Sequence, residues 1–148
     1  MIGLIQRVIN ASVSVNDRTV SKIDKGLVIL LGITNNDSLK DVEYMCNKTV
    51  SLRLFESQEN NFDFSLKDVE GDLLVISQFT LPASVTKGRR PDFTNAANAT
   101  IAKPLYETFI KLCRDQIDKV ETGEFGSDMV VNLTNSGPVT IIIDSISN

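Results

Sequence analysis

The chain has 148 residues, 42% apolar and 23% charged, and its 15 Lys and Arg against 19 Asp and Glu give a net charge of −4. That length suits one domain spanning residues 1–148, and the composition is that of a globular protein rather than a disordered one. The acidic balance excludes a broad nucleic-acid-coating surface, which needs clustered cations, and no apolar run approaches the roughly 20 residues of a membrane helix.

Residues 2–9 alternate loosely between apolar and polar and predict a strand. Residues 11–15 and 19–23 predict two more, joined by the turn signal Asn16-Asp17-Arg18. Residues 27–33 are continuously apolar and read as a strand buried on both faces. Asn35-Asn36-Asp37-Ser38 then offers a helix N-cap. The apolar stripe that follows, through Val42, Met45, Cys46, Thr49 and Val50, predicts a helix. Residues 52–55 are expected to return to strand, 56–71 to form an excursion loop, and 72–79 to form a strongly β-prone run. Residues 81–98 contain Pro82, Gly88 and Pro91 and read as irregular. Leu105, Phe109, Leu112, Cys113 and Ile117 recur at helical spacing, predicting a helix over about 98–118 with Pro104 near its start or kinking it. Residues 120–125, 129–134 and 139–143 close the chain as strands, the last two flanking a hairpin loop at Asn135-Ser136-Gly137-Pro138. The order of strands and helices indicates an α+β fold, a mostly antiparallel sheet or partial barrel with two helices packed on it.

The chain contains no histidine. That removes Ser-His-Asp and Cys-His catalysis and the commonest metal ligand. Cys46 and Cys113 lie in separate helical segments and form no CxxC pair, so they read as reduced core thiols. No metal and no cofactor are expected. The first residues, Met1 to Arg7, carry no basic segment followed by a cleavable apolar core, so a cytoplasmic location is expected.

Chemistry must then come from backbone dipoles, hydroxyls, amides, carboxylates, lysine or the substrate itself. Ser77-Gln78-Phe79-Thr80-Leu81 ends a buried strand. It reads either as a strand end that caps local backbone or as a set of donors for a developing oxyanion. Lys87-Gly88-Arg89-Arg90-Pro91-Asp92-Phe93 is the one dense basic cluster, either solvated surface or a phosphate contact beside a stackable ring. Gly123 to Met129 reads as a glycine-punctuated strand junction.

Taken together and in this order, Gln6-Arg7-Val8, Ser77 to Leu81, Lys87 to Phe93, Gly123 to Met129 and Asn135 to Thr140 resemble the D-aminoacyl-tRNA deacylases, also called D-tyrosyl-tRNA deacylases. The resemblance runs the length of the chain. It implies hydrolysis of the ester of D-aminoacyl-tRNA, and of glycyl-tRNA mischarged on tRNA(Ala), as chirality proofreading in translation. It also implies a homodimer whose active sites lie near the subunit interface. Ser77, Gln78, Phe79 and Thr80 would bind the scissile ester. A Gly137-Pro138 segment with a cis peptide would enter the partner's site and exclude L side chains, with Arg7 holding it. Phe125, Gly126 and Met129 would form the pocket for the 3′-terminal adenosine. Ser136, Ser127 and Arg89 depart from the common pattern but leave the Gly-Pro backbone untouched. Two other functions compete with this one: an editing deacylase of relaxed chirality acting on L-aminoacyl-tRNA, and a non-catalytic dimer that binds RNA ends.

Overall fold

A two-residue turn at Asn16 and Asp17, both with positive φ (48° and 60°), folds the first strand pair back on itself. Short polar side chains tolerate that backbone, which matches the twist of the strands it joins. The computed structural model describes residues 1–145. In chain order the elements are β1 (Ile2–Val15), β2 (Arg18–Ile23), β3 (Gly26–Gly32), α1 (Leu39–Ser51), β4 (Asp72–Ser77), α2 (Ala99–Arg114), β5 (Val120–Thr122) and β6 (Val130–Asp144).

β1 is the organising strand. Its first half pairs antiparallel with β3 (Ile5 opposite Ile29) and its second half with β2 (Ala11 opposite Ile23). Along its other edge it pairs antiparallel with β6 from Ile2–Asp144 to Ser14–Val130. β3, β4 and β5 run parallel, because α1 and α2 are the crossovers between them. The sheet is therefore mixed, with the antiparallel ladders the longer ones. Strand order is β2-β1-β3-β4-β5, with β6 on β1. The sheet curls until the Ser21 hydroxyl of β2 donates to the Thr122 carbonyl of β5 at 2.8 Å, nearly closing a barrel.

Two apolar layers result. The outer face of the sheet takes the helices: Val42, Met45, Cys46, Thr49 and Val50 of α1, and Ala102, Tyr106, Phe109, Ile110 and Cys113 of α2, are all buried. The inner face is lined by Val8, Ala11, Val13, Ile23, Val28, Leu74 and Ile76. β4 serves both layers, with Leu73 and Val75 under the helices and Leu74 and Ile76 inside the barrel. That is why it reads as an unbroken apolar run. The Cys46 and Cys113 sulfurs lie 3.5 Å apart between the helices as buried free thiols. Contact with Cys46 and burial both push the Cys113 thiol up. No helix among the described residues is long and apolar enough to cross a membrane.

Several boundaries differ from expectation. Residues 52–55 form no strand; Phe55 makes one isolated bridge to Phe64, and Leu54 and Phe55 are buried as core plugs instead. Residues 2–9 and 11–15 are one strand, continuous through a register shift around Ile9. β5 stops at Thr122, and α2 ends at Arg114 with Pro104 inside it, on the exposed face. The largest correction concerns 129–143. There is no hairpin at Asn135–Pro138, because both flanking runs pair with β1 in the same direction. The register jumps from Val8–Asn135 to Gln6–Thr140, so the segment is a bulge looped out of one strand.

The start of α1 carries a pH signature. Burial works to raise the Asp41 pKa, but hydrogen bonds from Ser145 and Ser38 outweigh it and bring the carboxyl down to about 2. A carboxyl depressed on folding stabilises the native state above its unfolded value near 3.8 and loses that contribution as pH falls toward 2. Asp41→Asn is expected to lower Tm by a few degrees at pH 6. The gap to the unaltered protein should shrink as pH falls from 4 to 2. A gap that stays constant over that range in thermal melts would refute the assignment.

Candidate active site

The carboxyl end of β4 opens into a cavity of about 560 Å³. Open α/β arrangements place ligands at that end, where parallel strands stop and loops diverge. The wall comprises the β4 end (Ile76, Ser77, Gln78, Phe79), the segment before α2 (Phe93, Ala96, Ala97), the start of α2 (Ala99, Ala102) and the β5–β6 connection (Phe125 to Met129), completed by Leu31, Ile33 and Val131. Small alanines at 96, 97 and 99 leave the space that larger side chains would fill.

The β4 end is held firmly. Gln78 N–H donates to the Leu31 carbonyl at 2.8 Å, extending the β3–β4 ladder by one residue. Gly32 permits the next turn: a Cβ there would lie 2.9 Å from Leu81 Cβ and Pro82 Cδ and 3.0 Å from the Gln78 carbonyl oxygen. Below, the buried Tyr106 hydroxyl donates to the Val75 carbonyl at 2.9 Å. Burial pushes that phenol far above its ordinary range, so it acts as a fixed donor. The Tyr106 ring also packs against Phe125, centroids 5.5 Å apart.

Beyond the ladder, the N–H groups of Phe79 and Thr80 donate to no group among the described residues. The Phe79 ring is 61% exposed and meets Phe93 edge-on at 5.3 Å. Gln78 Nε2 donates to Thr80 Oγ1 at 2.6 Å, so the threonine hydroxyl faces an amide rather than a base. Among the described residues, Asp128 is the only ionisable one in the cavity wall. Among the described residues, no group of three His, Cys, Asp or Glu could hold a metal ion. The arrangement offers unpaired backbone N–H donors beside a largely apolar cavity rather than an acid–base pair.

The sequence-predicted residues fall into two places. Ser77, Gln78 and Phe79 line the cavity together with Phe125, Gly126 and Met129; Thr80 stands just outside the wall, tied to Gln78. Arg7, Gly137 and Pro138 are not part of that wall. Arg7 is 9% exposed; its Nη1 donates to the Leu54 carbonyl at 2.7 Å and its Nε to the Ser136 carbonyl at 3.1 Å. The guanidinium thus fixes the bulge from below, beside a small hollow lined by Val8, Ile9, Lys25, Phe55 and Glu56. Gly137–Pro138 is a cis peptide, both residues are exposed, and Gly137 has φ +122°, where a side chain is strained. A Cβ there would also lie 3.0 Å from Arg7 Nη2 and 2.9 Å from Val139 Cγ2.

Three contributors escaped the sequence reading. Asn135 clamps the bulge: its Oδ1 accepts from Val139 N–H at 2.9 Å and its Nδ2 donates to Thr140 Oγ1 at 3.0 Å. The readiness of Asn to bond nearby backbone was the available signal. Tyr106 lies between Leu105 and Phe109 on the buried stripe, so only its hydroxyl could have marked it. Phe93 was seen as part of the basic loop but belongs to the cavity.

Residues 4–144 match the family model described as D-Tyr-tRNA(Tyr) deacylase. The D-aminoacyl-tRNA deacylase of Clostridium novyi (strain NT) is 48% identical over 145 residues, covering 98% of this chain and 97% of the relative. That of Thermosipho africanus (strain TCF52B) is 47% identical with the same coverage. Among solved structures, the c-Myc DNA unwinding element binding protein is 37% identical with a TM-score of 0.93 and covers 97% of this chain and 98% of its own. A probable eukaryotic D-amino acid tRNA deacylase, 17% identical with a TM-score of 0.80 over 96% of this chain and 97% of its own, shares the fold. The match over nearly the whole chain establishes that this chain belongs to the D-Tyr-tRNA(Tyr) deacylase family.

Proposed function

We propose that the protein hydrolyses the ester joining a D-amino acid to the 3′ end of tRNA, releasing free amino acid and tRNA, in the cytoplasm. The observation that carries the chemistry is the unpartnered N–H pair of Phe79 and Thr80 at the mouth of a cavity whose wall holds no base other than Asp128. Oriented backbone donors stabilise the oxyanion of acyl transfer without titrating. Water attacks the ester carbonyl, the oxyanion forms against the N–H groups, and the departing 3′-oxygen takes a proton through the neighbouring ribose 2′-OH. Phe125, Gly126 and Met129 hold the terminal adenosine, and Ser77 and Gln78 orient the aminoacyl group. A threonine nucleophile would need a base to take its proton. The Thr80 hydroxyl receives a hydrogen bond from Gln78 instead.

The chirality filter is proposed to come from a second copy of the chain. Gly137 and Pro138 are exposed and outside their own cavity, held by Arg7 and Asn135 in a position to project away from the sheet. Among the described residues β6 pairs along one edge only, and Val130 and Ile142 are 63% and 69% exposed. An open strand of 15 residues with apolar side chains is normally covered. In a two-fold dimer each bulge meets the other subunit's cavity. A filter made of main chain is blind to side-chain identity, so it accepts D-residues broadly and rejects glycine only weakly.

Ester loss from D-Tyr-tRNA is expected to exceed that from L-Tyr-tRNA on the order of 100-fold or more. Equal rates would favour the relaxed-chirality editor, and no loss on either would favour a non-catalytic RNA-end binder. Thr80→Ala should keep kcat within about tenfold, because removing a true nucleophile costs on the order of a millionfold. For the shared site, a bulge-deleted chain lacking 136–138 should still cleave esters but lose its preference for D over L, and a Phe79→Pro chain should be inactive alone. Co-assembled with an excess of the Phe79→Pro chain, the bulge-deleted chain should regain the D preference, since its cavities then face intact bulges. No regain, with mixed dimers confirmed by mass, would place the filter within a single chain.

A further inference from the structure

We propose that Lys87, Arg89 and Arg90 form a phosphate grip that holds the tRNA strand as it enters the cavity. The inference rests on the reading of the cavity as the site of the aminoacyl end. Three of the chain's 15 Lys and Arg fall within four consecutive residues, on a protein of net charge −4. All three are exposed, and none is ion-paired among the described residues.

The loop is built to present them. Its base is closed by two backbone bonds, Ser84 N–H to the Asp92 carbonyl at 2.8 Å and Asp92 N–H to the Ser84 carbonyl at 2.9 Å. Gly88 turns the tip with φ +72° and open space around it. Asp92 is the acid best placed to neutralise the cluster, yet its carboxylate accepts from Thr94 N–H at 2.9 Å. The Thr94 hydroxyl and N–H hold that carboxyl below its usual range, so it is occupied away from the tip.

Position decides between bulk solvation and recognition. Phe93 is in the cavity wall and touches Phe79, the residue offering the free N–H. Arg90 lies three positions before it, at most about 10 Å of backbone. Long cationic side chains at that distance reach the phosphates immediately upstream of a nucleotide seated in the cavity. The guanidinium fork of Arg matches phosphate oxygens in pairs. An acidic enzyme repels tRNA as a whole, so a local grip at the mouth supplies both attraction and alignment. Nothing in this arrangement reads sequence, so the grip serves all tRNAs alike.

The test compares the unaltered protein with a Lys87→Gln, Arg89→Gln, Arg90→Gln triple variant on two substrates: D-Tyr-tRNA, and 3′-O-D-tyrosyl-adenosine, which has no phosphates. On the tRNA the variant should lose about tenfold or more in kcat/KM, carried by KM, and its log–log salt slope should weaken by about 2, as expected for three single-strand phosphate contacts. On the adenosine ester it should match the unaltered protein. Unchanged kinetics on tRNA, or an equal loss on both substrates, would overturn the grip. Binding of an uncharged acceptor-stem hairpin RNA separates this from the reaction itself. Should the unaltered protein cleave neither ester, the proposed activity fails, while the grip still stands if the variant loses salt-dependent hairpin binding and falls if binding is equal.

Discussion

The Arg7 guanidinium ties together two parts of the molecule that the backbone ladder alone would leave independent. It donates to the carbonyl of Leu54, after α1, and to that of Ser136, in the β6 bulge. Residues 136–139 have no partner in the ladder with β1, and fixing each off-ladder residue costs roughly 1–2 kcal/mol of backbone entropy. Charge-assisted hydrogen bonds, worth about 1.5–3 kcal/mol each in partly buried settings, are of the size needed to hold such a segment. The Asn135 side chain adds the clamp at the base. Neither support uses the Ser136 side chain, so that side chain is free to vary without moving the bulge.

This division shapes the proposed catalytic unit. The cavity is assembled from β4, the segment before α2 and the β5–β6 connection, on a rigid sheet end braced by Tyr106. The bulge is assembled from β1 and β6 and braced by Arg7. Both halves are stiff, and neither includes the other. A filter that must reject one stereoisomer by contact needs sub-ångström placement, and stiffness in each half would let two subunits of the proposed dimer define one distance between them.

Much of this was legible in the sequence where a local pattern had one physical cause. The α1 stripe from Val42 to Val50 is buried as its spacing required, and the Asn-Asp turn falls between β1 and β2. The failures share a different cause. A hairpin and a bulge present the same local signal at Asn135–Pro138, two β-prone runs around Gly-Pro, and they differ only in which strand each run pairs with. That information lies in β1, over a hundred residues away. Leu54 and Phe55 likewise look like strand residues because β-prone side chains also suit a buried plug after a helix. The parallel part of the sheet follows from the two helical crossovers rather than from any strand. For the candidate site, the short motifs marked Ser77 to Phe79 and Phe125 to Met129, which line the cavity, whereas Tyr106 and Asn135 act through side-chain polar atoms that no periodicity reveals.

The absence of histidine then acquires a structural complement. A site whose wall holds Asp128 as its one ionisable group, and whose donors are peptide N–H groups, has no proton switch to tune. Aminoacyl esters are activated toward water, so the demand on the protein is to orient and to exclude rather than to transfer protons. Peptide donors at a strand end meet that demand because their direction is set by the sheet and cannot be lost by titration. The same economy governs the bulge, where selectivity would reside in carbonyl and Cα positions. Side chains at 127 and 136 can therefore drift with little effect on chemistry. Changes that move backbone carry the heavier consequence: a Cβ at Gly32 against the Gln78 carbonyl, or at Gly137 against Arg7, acts directly on the geometry that does the work.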